Sequence, residues 1–364
     1  MSAAFAQVVG HSPVRIWGLD SRVRLARQLE RAGVAGPEAE RVVVLRADWV
    51  YDEAIVRGLV AATQDCALFG EGRECVALNV ASARRGEATE ALAAGRAPAD
   101  VPEVALERIA GAYDSALRKR GTPYLLRLSA ETIDRVEHRV FDGAYKGVTD
   151  LVTLYAIRAP ARVVTRWCAL AGITPNQVTS VSLLLVLAAM ALFWTGHYGV
   201  GLCAAWAMSF LDTVDGKLAR VTVRSSRFGD IFDHSIDLAH PPFWWWAWVV
   251  GLPAAGFTPM HTQLVLTAIV GGYVLQRVEE GAFIKSFGME MHVWRRFDSR
   301  FRLVTARRNP NLLLLTAAML AGRPDIGIEA VAAWTVVSLA IHAVRLFQAA
   351  MQRRRGPLRS WLGS

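Results

Sequence analysis

Cysteine is scarce in this 364-residue chain: Cys66, Cys75, Cys168 and Cys203 are the only four, at spacings that match no metal-ligand pair. That excludes a disulfide framework and a thiolate metal site, and leaves reduced, structural thiols. The opening residues MSAAFAQVVGHSPVRIW lack a basic segment followed by a clean apolar run. No cleaved signal is therefore expected, and the first domain is expected to stay in the cytoplasm. Glycine is sparse near the start, where VRIWGLDSRVRL carries Gly18 alone among the bulky Ile16, Trp17 and Leu19, so no run of backbone N–H groups is prepared there for phosphates. Long apolar runs are missing from residues 1–145 and abundant in 177–350, so a boundary falls near 140–160.

What is present explains that division. Hydrophobic residues make up 53% of the chain, high for a soluble protein, and charged residues 20%, high for a purely membrane one. The net charge of +9 suits nucleic acid or an anionic membrane surface, and the apolar stretches beside much of the basic charge favour the bilayer, with no nucleic-acid partner. Apolar stretches predict six membrane helices at about 177–195, 198–218, 229–252, 262–283, 309–323 and 326–350. The preceding stretch LVTLYAIRAPARVVTRWCALAG, with Arg158, Arg162 and Arg166, predicts a helix lying along the headgroups. Linkers such as TGHYG and GRPD carry almost no basic charge, whereas Arg220, Arg224 and Arg227, then Lys285 to Arg308, and Arg353 to Arg355 gather on the other side. The positive-inside rule puts both termini and the first domain in the cytoplasm. The fold class read from these patterns is multi-domain: a small cytoplasmic α/β domain at 1–140, an amphipathic interfacial helix at 147–172, and an all-α six-helix integral membrane domain at 173–352.

Between Asp212 and Asp237 the chain reads DTVDGKLARVTVRSSRFGDIFDHSID. Asp212, Asp215 and Ala219 share one helical face, and Gly229, Asp233 and Asp237 share another. Two such helices joined by VTVRSSR can turn four carboxylates toward each other. At membrane depth they would repel unless a cation sat between them, and hard oxygen ligands suit Mg²⁺ or Mn²⁺.

This segment resembles the signature of the CDP-alcohol phosphotransferases (CDP-alcohol phosphatidyltransferases), D-x2-D-G-x2-A-R-x8-G-x3-D-x3-D, filled by Asp212, Asp215, Gly216, Ala219, Arg220, Gly229, Asp233 and Asp237. The resemblance implies transfer of a phospho-alcohol group from a CDP-alcohol to an acceptor alcohol with release of CMP, in phospholipid biosynthesis at a bacterial-type inner membrane. It implies two divalent ions held by Asp212, Asp215 and Asp233, with Asp237 partly a ligand and chiefly the base. The CDP moiety would meet Asp212, Gly216, Ala219, Arg220 and Gly229. For Gly216 and Gly229 the alternative is close helix packing. Arg224 and Arg227 are read either as hands for an acceptor phosphate or as positive-inside anchors. CDP-diacylglycerol is the expected donor; a CDP-polyol donor and a non-catalytic scaffold are the alternatives, and a homodimer remains open. Upstream, ITPNQVTS matches a phrase that often opens the first span of this family, with Pro175 at a helix start and Asn176 or Thr179 as its cap. Pro241 and Pro242 predict a kink in the third span. Trp244, Trp245, Trp246 and Trp248 read as an aromatic belt or lipid-facing surface.

Residues 14–80 alternate as strand VRIWGL, helix, strand RVVVLRADWV, helix, then a hairpin of CALFG and CVALNV. The pattern is similar to the nucleotidyltransferase domains fused to some members of this family, the inositol-phosphate cytidylyltransferase / di-inositol-phosphate-phosphate synthases. Asp48 would then be a metal-binding aspartate. The absent glycine loop marks the domain as degenerate. KGVTDLVTLYAIRAPARVVTRW resembles the K-x3-D…R stretch that joins the domains in those fusions.

Overall fold

A computed structural model describes residues 4–363 except Ala112, Ser115, Ala116, Pro259 and Met260. The chain forms two compact units: Met1–Tyr145 with Cys168–Gly172 and Lys217–Arg224, and Lys146–Trp167 with Ile173–Gly216 and Ser225–Ser364.

The first unit runs β1 (Phe5–Val9), α1 (Ser21–Ala32), β2 (Arg41–Arg46), β3 (Trp49–Tyr51), α2 (Glu53–Ala61), β4 (Cys66–Phe69), β5 (Cys75–Ala81), α3 (Arg85–Ala93) and α4 (Leu106–Ala110). It continues with β6 (Tyr113–Asp114), β7 (Lys119–Arg120), β8 (Leu125–Arg127) and α5 (Ile133–Gly143). The main sheet has the order β1-β2-β5-β4, with β1 parallel to β2 and the other pairs antiparallel. Central β2 is apolar without alternation because both its faces are covered. Val42 and Val44 pack in one cluster with Ala88 and Leu92 of α3, and Val43 and Leu45 in another with Leu25, Ile55 and Leu59 of α1 and α2. The four cysteines are free, and burial pushes the Cys75 thiol up to about 11, which makes it inert.

The first strand is not where periodicity placed it. Residues 5–9 form it, while VRIWGL is a tight turn in which Ile16 and Leu19 exchange backbone hydrogen bonds of 2.9 Å. Trp17 sits in the left-handed region at φ 50°, fully buried, stacked on Phe141 at 5.8 Å, with its backbone N–H donating to Glu137 Oε1 at 2.8 Å. An apolar run bent around one glycine anchors a core as readily as it pairs in a sheet, and period alone cannot separate the two. Gly18, at φ 72°, allows the turn, and a Cβ there would lie 3.0 Å from the Ala169 carbonyl oxygen.

Residues 217–224 also belong to this unit. Arg24 Nη1 donates to the Val221 carbonyl and Arg27 Nη1 to that of Thr222 at 2.9 Å, satisfying acceptors that a helix end leaves open. Lys217 Nζ donates to Ala144 O at 3.1 Å and lies 3.4 Å from the Tyr145 ring centroid.

The second unit is helical. A π-type turn at Thr153–Ile157 runs into α6 (Arg158–Leu170), which exposes Val163 and Trp167. The long helices are α7 (Pro175–Trp194), α8 (Tyr198–Val221) and α9 (Arg227–Gly251). Then come α10 (Thr262–Leu266), a π-type turn at Thr267–Gly271, α11 (Gly272–Phe287), α12 (Arg296–Phe301), α13 (Arg308–Leu320) and α14 (Pro324–Arg353). Helix therefore stands at each of the six predicted spans. Two of these helices, Pro175–Trp194 and Pro324–Arg353, are long and apolar enough to cross a membrane by length and composition.

Glycine sets how α7 and α9 meet. A Cβ on Gly229 would lie 2.6 Å from Asn176 Oδ1, and one on Gly251 would lie 1.9 Å from the Phe193 carbonyl oxygen. Start therefore lies by start and end by end, so the two helices run parallel. The core beside them is aromatic: Phe193, Tyr198, Trp244, Trp245 and Trp248 are all buried. This corrects the belt reading, since of the four tryptophans Trp246 alone is exposed, at 38%. Indole N–H groups explain the inward choice, because Trp244 Nε1 donates to Val186 O at 2.9 Å and Trp248 Nε1 to Pro324 O at 3.1 Å.

Candidate active site

The start of α7 is fixed by Thr174, which forms a capping box with Gln177 and leaves Pro175 at the first helical position. The cap is thus neither Asn176 nor Thr179. Asn176 instead fills the space left by Gly229, and Thr179, one turn into α7, donates from Oγ1 to Asp215 Oδ2 at 2.7 Å. Ser226 caps α9 by accepting from the Gly229 N–H at 3.0 Å.

These caps bring the ends of three helices together around the carboxylates. One oxygen each from Asp212 and Asp215 on α8 and Asp233 on α9 lie within 4.8 Å of one another. Asp215 is 3% exposed, and its Oδ1 is buried with no hydrogen-bond partner. A bare, buried carboxylate oxygen facing two more carboxylates is a costly arrangement without a cation, so the donor set fits a hard divalent ion.

Asp237, one turn beyond Asp233, is held differently. Arg308, at the start of α13, donates from Nη1 to Asp237 Oδ1 at 2.6 Å and from Nη2 to Asp212 Oδ2 at 2.5 Å. The Asp237 side chain is 38% exposed against 15% for Asp212, so it is more open to an incoming group than Asp212. Gly216, Ala219 and Arg220 follow Asp215 along α8 and are half-buried. Arg224 and Arg227 are exposed, and among the described interactions none joins them to the carboxylates.

A second cluster lies around Glu280 of α11. Its Oε2 pairs with Arg277 Nη1 at 2.9 Å, and its Oε1 accepts from Arg307 Nη2 at 2.5 Å and meets His292 Nε2 at 3.2 Å. His342 of α14 is 1% exposed and sits edge-on to His292. Burial pushes His292 down to about 3, so it is neutral. Two guanidiniums on one carboxylate leave surplus positive charge, which repels a cation despite the ligand-like grouping of Glu280, His292 and His342.

Residues 172–293 match the family model for CDP-alcohol phosphatidyltransferase. This region is similar to that family. Similar proteins include the archaetidylinositol phosphate synthase of Pyrococcus horikoshii, 35% identical over 81 residues, covering 22% of this chain and 43% of that protein. The phosphatidylinositol phosphate synthase of Mycobacteroides abscessus is 32% identical over 115 residues, 30% of this chain and 52% of that protein. The archaetidylinositol phosphate synthase of Methanothermobacter thermautotrophicus is 27% identical over 149 residues, 40% of this chain and 66% of that protein. The chain thus spans about half the length of the curated relatives it matches.

The CDP-alcohol phosphatidyltransferase match contains all eight signature residues and ends before α13. Arg308 therefore lies outside it. The basic-loop pattern makes Arg307 and Arg308 topology anchors, whereas these successive residues enter the two clusters. Pairs 71 and 96 residues apart leave no periodic trace.

The N-terminal Asp48 is engaged as well. Arg46 donates from Nε to Oδ1 at 3.0 Å and from Nη2 to Oδ2 at 2.6 Å, a two-point pair that covers both carboxylate oxygens.

Proposed function

We propose that the helical unit is embedded in a membrane and transfers a phosphatidyl-type group to a phosphorylated polyol of the inositol phosphate kind, releasing CMP. The donor is a CDP-alcohol, with CDP-diacylglycerol the first choice. The observation that carries this reading is the meeting of Asp212, Asp215 and Asp233 within 4.8 Å, at residues that fill an intact family signature. Relatives named for inositol phosphate products favour that acceptor over a plain alcohol. Helices α7 and α14 supply the strongest spans, and the exposed Val163 and Trp167 on basic α6 suit a headgroup layer.

In this mechanism the acceptor hydroxyl oxygen attacks the phosphorus that bears the donor alcohol. The bond from that phosphorus to the CMP oxygen breaks, and the hydroxyl proton passes to the Asp237 carboxylate. A divalent ion held by Asp212, Asp215 and Asp233, with Asp237 beside them, would supply charge neutralisation at the pyrophosphate. Gly229 lets α7 and α9 approach, which keeps Asp233 and Asp237 near α8. By the resemblance to the family signature, Arg220 would hold a donor phosphate. The half-buried surplus charge of Arg277 and Arg307 is a better seat for an acceptor phosphate than the exposed Arg224 and Arg227.

The test is CMP release by the solubilised full-length protein with Mg²⁺ or EDTA, crossing CDP-diacylglycerol and CDP-inositol donors with inositol phosphate, inositol and glycerol phosphate acceptors. Mg²⁺-dependent CMP release with the lipid donor and inositol phosphate is expected. Turnover with CDP-inositol alone would move the protein to the polyol class, and no CMP with any pair would leave a scaffold.

We also propose that the N-terminal domain has no nucleotidyltransferase activity. The plugged Trp17 turn and the Arg46 fork on Asp48 support this. Incubation of the full-length protein with CTP and inositol phosphate is expected to yield no pyrophosphate. Pyrophosphate formation that disappears in Asp48→Ala would make the chain bifunctional.

A further inference from the structure

Arg308 holds two of the four signature carboxylates, and the signature itself contains no residue in that role. Its fork joins Asp237 Oδ1 at 2.6 Å and Asp212 Oδ2 at 2.5 Å, and so bridges α9 and α8 from the start of α13. The backbone beside it is tied down: Asn309 Nδ2 donates to Asp150 Oδ1 at 3.1 Å, and Asn309 Oδ1 accepts from Ser209 Oγ of α8. The side chain is thus the part able to move. Asp212 is the shared element, because the carboxylate bound by Arg308 also supplies an oxygen within 4.8 Å of those of Asp215 and Asp233. Carboxylates this close need positive charge or protons between them when no ion is bound.

We infer that Arg308 is the resident counter-cation of the aspartate cluster: its guanidinium and a divalent metal ion compete for Asp212, so Arg308 sets the metal affinity and leaves Asp212 when metal enters. The inference rests on the metal-site reading above. Oxygen ligands hold Mg²⁺ at about 2.1 Å, so an ion seated on Asp212 and Asp215 would stand only a few ångströms from the guanidinium. Like charges at that range repel strongly even at a protein's effective dielectric. Arg308 also takes up an Asp212 oxygen that a metal ligand needs to offer. Removing the guanidinium therefore has two effects of opposite sign. Metal is bound more tightly, because a competing positive charge is gone. The metal-free protein is less stable, because the bridge between three helices is gone and the carboxylates face each other with less positive charge between them. An arginine with a merely structural role would weaken both when removed.

The experiment is Mn²⁺ binding to solubilised full-length protein by titration calorimetry, with melting temperatures recorded with and without Mn²⁺. Arg308→Gln is expected to bind Mn²⁺ on the order of tenfold more tightly than wild type, with a lower metal-free melting temperature. Arg308→Lys keeps the charge but loses the fork, and is expected to fall between the two. Equal or weaker Mn²⁺ binding by Arg308→Gln overturns the inference. Should that variant fail to fold, Arg308→Lys decides, and binding no tighter than wild type overturns it. Asp215→Ala is the control: if it binds Mn²⁺ as wild type does, the metal site lies elsewhere, and the metal reading of the proposed function falls together with this inference.

Discussion

Replacing Asp237 with asparagine is expected to lower the turnover number by roughly 10²–10⁴-fold, the usual contribution of a positioned general base. Donor binding should change little. Asparagine has the shape of aspartate, and its amide oxygen can still accept from Arg308 Nη1, which now donates to Asp237 Oδ1 at 2.6 Å. The helix bridge is thereby kept while the ability to take a proton is lost. Asp237 is the carboxylate where this loss should be purest, because it stands outside the three-oxygen cluster and its side chain is 38% exposed. Steady-state CMP release and equilibrium binding of the CDP-alcohol, measured on one preparation, separate the two quantities. A variant that retained more than about half the wild-type rate would remove Asp237 from proton transfer.

Asp215→Ala should abolish both activity and metal-dependent stabilisation, with an unusual sign in the metal-free state. Asp215 is 3% exposed, with one oxygen bonded to Thr179 and the other bare. Without metal, its removal relieves repulsion among crowded carboxylates, which offsets the lost Thr179 bond, so the metal-free melting temperature should hold or rise. A ligand at a hundred times its dissociation constant stabilises the folded state by about 2.7 kcal/mol. A site weakened a hundredfold at that same concentration contributes only about 0.4 kcal/mol, so the Mg²⁺- or Mn²⁺-induced rise should nearly vanish. Differential scanning fluorimetry with and without metal reads both effects. An undiminished metal-induced rise would mean the ion binds elsewhere, and a collapse of the metal-free protein would mean Asp215 is chiefly structural.

The parts of the molecule legible in the sequence were those governed by short-range pattern. Apolar runs placed six helices to within a few residues, and spacings of three and four put Asp212 with Asp215 and Asp233 with Asp237 on single faces. The central strands and helices of the N-terminal unit followed from the same logic. The misreadings had physical causes. VRIWGL has strand composition, but one glycine and a bulky neighbour at positive φ turned it into a core anchor. Trp244, Trp245 and Trp248 were placed at the lipid, yet their N–H groups found carbonyl partners inside the unit. Asn176 reads as a cap because nothing local marks Gly229 as its neighbour. Arg308 was invisible for the same reason: its partners come from helices far away in sequence, and a basic residue at a helix start is ordinary topology.

The tandem prolines of α9 divide that helix mechanically. Pro241 and Pro242 offer no N–H to the carbonyls of Asp237 and Leu238, four residues earlier, so two successive rungs of the ladder are missing. The Leu238 carbonyl is compensated from outside, by Tyr273 Oη at 2.8 Å. Beyond the break, the Trp244 and Trp248 indoles fasten the helix to α7 and to the start of α14. Before it, the segment with Asp233 and Asp237 is held by the Ser226 cap and the Arg308 fork. Helix α9 is therefore a fixed post joined to a lever, and the fulcrum lies directly after Asp237. A slight swing of that lever would move Asp233 and Asp237 without repacking the aromatic post.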